Sequence, residues 1–160
     1  MATAKSLVES TTRVTGTRFR AHGRVDMWMQ DDALHYEATG PFNEEVFDLL
    51  AVAQLNFLMT LTLDSPWASI CTLRHSAMST PGGIQRYTEI MRSAKPPTFE
   101  PVATAFVVGT EIEGGRIMAP HFERVYALIN RPFRIFESLT QAQEWTHAMI
   151  QTSRSNRAAP

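Results

Sequence analysis

Cysteine, lysine and net charge are all scarce in this chain. Cys71 is the single cysteine, so no disulfide can close within the chain and no thiolate cluster can hold a metal. An oxidising compartment is therefore not required. Fifteen Lys and Arg face 16 Asp and Glu, for a formal net charge of −1. That balance excludes the broad basic field of a general nucleic-acid binder. Long apolar runs are missing too. The most apolar stretch, 46–63, is interrupted by Gln54 and Asn56 and follows two acids, so it reads as a buried helix and not as a membrane span. The first ten residues contain no apolar core with a cleavage site, so no signal peptide is expected and the cytoplasm is the default location.

Catalytic signatures are absent as well. No G-x-S-x-G elbow, P-loop or G-x-G-x-x-G occurs, and Pro81-Gly82-Gly83 and Glu113-Gly114-Gly115 are too short to cradle a phosphate. None of the histidines His22, His35, His75, His121 and His147 forms an H-x-x-x-H pair. No metal and no cofactor are expected. Ser76 follows His75, but neighbours on a strand point to opposite faces and are poorly placed as nucleophile and base. Glu111 and Glu113 could share one side of a strand end, where solvated acids are the simpler reading of two spaced carboxylates.

What the chain does have is enough length and apolar content for a core. At 160 residues it should bury roughly 70% of its unfolded surface, and 44% of it is hydrophobic. Its charges are segregated. Residues 25–73 carry eight acids (Asp26, Asp31, Asp32, Glu37, Glu44, Glu45, Asp48, Asp64) and no Lys or Arg. The cationic excess lies elsewhere, beginning with Arg13, Arg18, Arg20 and Arg24. Such halves attract one another within a chain or across a dimer.

The pattern predicts a flexible arm over 1–16, then a strand over 17–29 that bends at Gly23. Asp31-Asp32 turns it into a second strand over 33–39, which Gly40-Pro41 ends. Asn43 is a good N-cap, with Glu44 and Glu45 in the first turn of a helix that runs toward Leu63. Val46, Leu49, Leu50, Ala53, Phe57 and Leu61 follow helical spacing, while Phe47, Ala51, Leu55, Leu58 and Met59 make a second apolar side. A helix this apolar needs cover on both sides, either deep in the fold or against a second subunit.

Trp67–Leu73 reads as a buried strand. Thr80-Pro81 then opens a helix that carries Ile84, Tyr87, Ile90 and Met91. The continuous apolar run 102–108 suits a strand covered on both faces. A third helix is expected from Pro120, a last strand over 131–137, and a final helix capped by Ser138 with Gln141. Beyond Thr152 the chain is polar, and a frayed tail over 153–160 is expected. Strands and helices that alternate after an opening hairpin give an α/β fold. Its sheet should be mixed and mostly parallel, with about four helices and one domain over 17–152.

The element order, the Ala-Phe-Val-Val strand and the closing Arg-Ile-Phe-Glu-Ser-Leu-Thr-Gln-Ala-Gln-Glu-Trp segment together resemble the SpoIIAA-like proteins. These are bacterial relatives of the STAS fold, named for sulfate transporters and anti-sigma-factor antagonists. The resemblance covers residues 17–150. It implies a regulatory interaction module. In STAS antagonists a Ser-Phe-Met-Asp-Ser-Ser-Gly segment carries the hydroxyl that a partner kinase phosphorylates. Here Ser76-Ala77-Met78-Ser79-Thr80-Pro81-Gly82 lies in that place. Ser79 replaces the acid and Thr80-Pro81 replaces the two serines. Ser76, Ser79 and Thr80, with Arg74 nearby, are thus the candidate phospho-switch or anion site. A phosphate there would meet a helix N-terminus. The plainer reading is that Thr80 only caps a helix.

Three functional readings follow. The first is a non-catalytic regulatory or scaffolding domain that works by protein–protein contact, as a homodimer or with a regulatory partner. Its surface would be Phe47, Ala51, Leu55, Leu58 and Met59. The second is a binder of a lipid or small apolar ligand, suggested by nine Phe and eight Met, with Trp67, Trp145 and the phenylalanines lining a cavity. The third is a small enzyme of unrecognised type. Cys71, inside an apolar strand, should be an inert thiol.

Overall fold

The computed structural model describes residues 8–160. The elements in chain order are β1 (Glu9–Ser10), β2 (Arg24–Gln30), β3 (Ala33–Thr39), α1 (Glu44–Met59), β4 (Ala68–Arg74), α2 (Pro81–Arg92), β5 (Thr104–Val107), α3 (Gly115–Leu128), β6 (Phe133–Phe136) and α4 (Leu139–Ala158). The described strands form one six-stranded sheet in the order β1-β2-β3-β4-β5-β6. The pairs β1–β2 and β2–β3 are antiparallel, and β3 through β6 run parallel. This is the mixed α/β sheet with a leading hairpin that the alternating pattern requires.

Parallel strands that follow chain order, joined by right-handed crossovers, place their connecting helices on one face. The core shows this arrangement. Residues of α1, α2 and α3 pack with Val25, Met27, Leu34, Ala38, Leu73 and Phe106. The intervening strand residues Ala33, Ile70, Ala105 and Val107 pack instead with Ala142 and Trp145 of α4. The period-2 alternation of β4 and β5 thus divides one sheet between two layers of helix. All four residues of β5 are buried, as an apolar run covered on both faces must be.

The caps confirm the local chemistry. The Asn43 side chain accepts from the Val46 N–H at 3.3 Å, and also ties the incoming segment through His22 N–H and the Arg20 carbonyl. The Thr80 hydroxyl accepts from the Gly83 N–H at 3.0 Å. The Ser138 hydroxyl accepts from the Gln141 N–H at 3.3 Å.

Several boundaries differ from expectation. The flexible arm does not extend to residue 16. Glu9 and Ser10 pair with Met27 and Asp26, and the buried Thr11 hydroxyl accepts from the Val25 N–H. The open edge of β2 offers backbone partners that a Ser/Thr-rich segment can use. The rest of the expected arm, residues 1–7, lies outside the described residues. The first long strand starts at Arg24, because residues 20–22 are held by Asn43 before Gly23 turns at φ 93°.

The third helix begins at Gly115, after Gly114 in the left-handed region at φ 69°. Pro120 lies in its second turn, where it leaves the Arg116 carbonyl without its helical partner. The tail is not frayed from 153. α4 continues to Ala158, and Arg154 reaches Asp32 at 2.8 Å.

Candidate functional site

Between the sheet and α1–α3 lies a cavity of about 80 Å³. Its floor comes from alternate residues of neighbouring strands: Tyr36, Cys71 and Phe106 follow one another across β3, β4 and β5 in register. Phe47 and Leu50 of α1, Tyr87 of α2, and Phe122 and Tyr126 of α3 close it from above. The aromatic rings brace one another. Phe47 tilts on Tyr87 at 5.2 Å, Phe106 meets Phe122 edge-on at 5.0 Å, and Tyr126 stacks on Phe133 at 4.3 Å. Rigid rings that rest on rings cannot collapse into the space they enclose.

Polar groups line the same space. The Ser69 and Thr104 hydroxyls hydrogen-bond at 2.8 Å, and the Tyr87 and Tyr126 hydroxyls bond to each other. Tyr36 has no hydrogen-bond partner among the described residues. Burial pushes the Tyr36, Tyr87 and Tyr126 hydroxyls well above the ordinary phenol range, and Arg131 partly offsets this. Burial also pushes the Cys71 thiol up to about 12, which leaves it protonated and inert. Tyr36, Cys71 and Tyr87 still keep some accessible area, and that area faces the cavity.

The cavity lining reaches the amino ends of the parallel strands. Trp67, Lys95, Phe99, Pro101 and Arg131 all lie in the segments leading into β4, β5 and β6. The Trp67 indole N–H fixes this rim by donating to the Thr98 carbonyl at 2.9 Å. Of the aromatics expected around a cavity, Trp67 lines it, whereas Trp145 is on α4 at the other face. Lys95, Arg131 and the tyrosines were not singled out from sequence. Lys95 offered one signal, as one of only two lysines in the chain.

The opposite rim, at the carboxyl ends of the strands, is closed by three loops. Gly40 N–H donates to the Arg74 carbonyl, Phe42 N–H to Met78 and Ala77 N–H to Glu113. A Cβ on Gly40 would lie 2.1 Å from the Ser76 carbonyl oxygen, so only glycine permits this approach. The candidate switch residues sit in this seam. Ser76 is fully buried, and its hydroxyl accepts from the Met78 N–H at 3.1 Å. Ser79 is half-buried and donates to the Thr80 carbonyl. Thr80 is exposed and serves as the α2 cap. Arg74 is exposed and its guanidinium faces Glu37 at 3.4 Å. The structure thus puts the three hydroxyls on one loop and directs Arg74 to an acid.

The α1 set divides in two. Phe47 and Leu58 are buried, and Phe47 lines the cavity, whereas Leu55 (49% exposed) and Met59 (68%) face out with Val52 (47%). Ala51 lies between these groups, half-buried. Among the described residues no three His, Cys, Asp or Glu converge as metal ligands. Glu111 and Glu113 are exposed in a turn. Among the described residues, no helix is long and apolar enough to cross a membrane.

One solved structure matches this arrangement over nearly its whole length. It is an uncharacterised protein of the DUF3478 family, with a SpoIIAA-like fold, from Shewanella loihica PV-4. It is 12% identical, with a TM-score of 0.54 over 82% of this chain and 99% of that one. The chain has a SpoIIAA-like fold. No protein-family model matches it, and no curated protein does. The shared fold is the mixed α/β sheet that the strand order and the closing helix suggested.

Proposed function

We propose that this STAS-like chain is a non-catalytic domain that reversibly binds a small apolar ligand between its sheet and α1–α3. One observation carries the reading: a ring-braced, mostly apolar cavity of about 80 Å³ beside Trp67. A preformed concave space with such walls binds apolar molecules through close contact. Four of the lining hydroxyls pair with one another, Ser69 with Thr104 and Tyr87 with Tyr126, while Ser79 donates to a backbone carbonyl and the Tyr36 hydroxyl is left to orient a ligand; the thiol is protonated and unreactive.

Titration of the protein with hexan-1-ol, followed by NMR of the Leu50 and Met91 methyl groups, tests this. Saturable shifts at those methyls are expected. Absence of shifts there, with the protein folded, overturns the reading.

A second reading is favoured by the outward stripe Val52, Leu55 and Met59 on α1: contact with a second copy or a regulatory partner in the cytoplasm. Mass measurement over a concentration series should give a dimer that Leu55→Glu converts to a monomer. A strict monomer at all concentrations removes the homodimer. The switch at Thr80 belongs to the same reading, and phosphopeptide mapping from the native host that finds Ser76, Ser79 and Thr80 unmodified removes it.

A further inference from the structure

The rim of the cavity carries two cations, Lys95 and Arg131, that form no salt bridge among the described residues. Lys95 lies just beyond α2, and its ammonium donates to the Ile90, Met91 and Ser93 carbonyls at 2.8, 3.3 and 3.2 Å. These carbonyls at the carboxyl end of α2 occupy its N–H donors, so the ammonium acts on the rim through its charge. Arg131 lies just beyond α3, with its guanidinium 5.9 Å from the centre of the Tyr126 ring. Among the described residues its guanidinium makes no ion pair and donates no hydrogen bond, while its backbone N–H donates to the Tyr126 carbonyl. Both side chains are half-buried and both line the cavity.

Their proximity is unfavourable without an anion. The Lys95 ammonium is held below the ordinary lysine range, first by burial and then by Arg131 itself; Glu100, exposed on the next segment, opposes this only in part. The same Arg131 charge reaches the Tyr36, Tyr87 and Tyr126 hydroxyls. Lys95, Arg131 and the three tyrosines thus line one cavity whose remaining walls are mostly apolar. Such a combination of cations and apolar walls is what recognises an amphipathic anion. A planar guanidinium with free donors suits a carboxylate.

We propose that the cavity takes a short aliphatic monocarboxylate, with its carboxylate at Lys95 and Arg131 and its chain running inward between Phe106, Tyr126 and Leu50. This rests on the cavity being a ligand site and adds the class of ligand.

Three probes of equal chain length separate the two claims: hexanoate, hexan-1-ol and hexylammonium, each titrated at pH 7 with the same methyl readout. Hexanoate should bind about ten-fold more tightly than hexan-1-ol, and hexylammonium should not bind. In the Lys95→Gln/Arg131→Gln double variant the hexanoate preference should fall to within about two-fold, with hexan-1-ol unchanged. Equal binding of hexanoate and hexan-1-ol to the unaltered protein overturns the carboxylate assignment and leaves the apolar site standing. Failure of every probe overturns both. Should the double variant not fold, the order of the three probes on the unaltered protein decides alone.

Discussion

The two faces of the sheet are built from residues of different size, and only one of them encloses space. Under α1–α3 the strands present Tyr36, Cys71, Phe106 and Phe133, and the helices answer with Phe47, Tyr87, Phe122 and Tyr126. Under α4 they present Ala33, Ile70, Ala105, Val107 and Phe136, answered by Ala142 and Trp145. The fully buried Ala105 and Ala142 let that helix approach closely. Aromatic rings meet at centroid distances of 4.3–6.4 Å and keep their backbones apart. The cavity is therefore a consequence of side-chain shape on one face, while α4 holds the other face of the same strands close-packed.

Substitutions of one kind on opposite faces should break this symmetry of position. Ala105 is fully buried against α4, so Ala105→Leu overpacks that face and should destabilise by about 1–3 kcal/mol. Urea unfolding would show this as a lower midpoint at unchanged slope. Cys71 occupies the neighbouring strand on the cavity side. Cys71→Leu places its extra carbons in open space, so its stability should stay within about 1 kcal/mol of the parent. Hexan-1-ol binding should nevertheless be lost, because the added side chain occupies the site. Equal stability losses for the two variants would show that the two faces are packed alike.

Much of this division was legible in the residues. The unbroken apolar run 102–108 predicted a strand covered on both faces, and the apolar 67–73 a buried one. Asn43, Thr80 and Ser138 marked three helix starts because a capping side chain acts on its own neighbours and needs no tertiary context. Long-range effects were not legible. Glu9–Ser10 forms a strand only because β2 presents an open edge, and α4 persists through Arg154 because Asp32 lies within reach. Pro120 was read as a first-turn residue, yet the left-handed Gly114 had already started the helix. The cavity rim was least legible of all. Lys95 and Arg131 are 36 positions apart, and only the sheet order brings the segments before β5 and β6 side by side. On α1 the apolar circumference was visible. The split between inward Phe47 and Leu58 and outward Leu55 and Met59 required the helix to be docked.

The α4 face continues past the helix onto β2 and β3, where the packing changes character again. There His35 is buried and stacks on Trp28, with ring planes 8° apart and centroids at 5.5 Å. Burial holds the His35 imidazole below its ordinary value of 6.5, and Asp31 opposes this in part. A base whose folded pKa is depressed binds its proton more readily when the chain unfolds. The stability it contributes is therefore complete above pH 6.5, and it is lost as pH falls from 6.5 toward the folded value. The parent should accordingly unfold more easily in urea as pH is lowered below 6.5, by the smallest margin of the effects considered. His35→Phe should flatten that slope, since it retains the stacked ring and removes the proton site. NMR titration of the His35 ring gives the second check. A midpoint at or above 6.5 would mean that this part of the sheet is wetter than the α4-covered strands beside it, and that burial does not extend past β4.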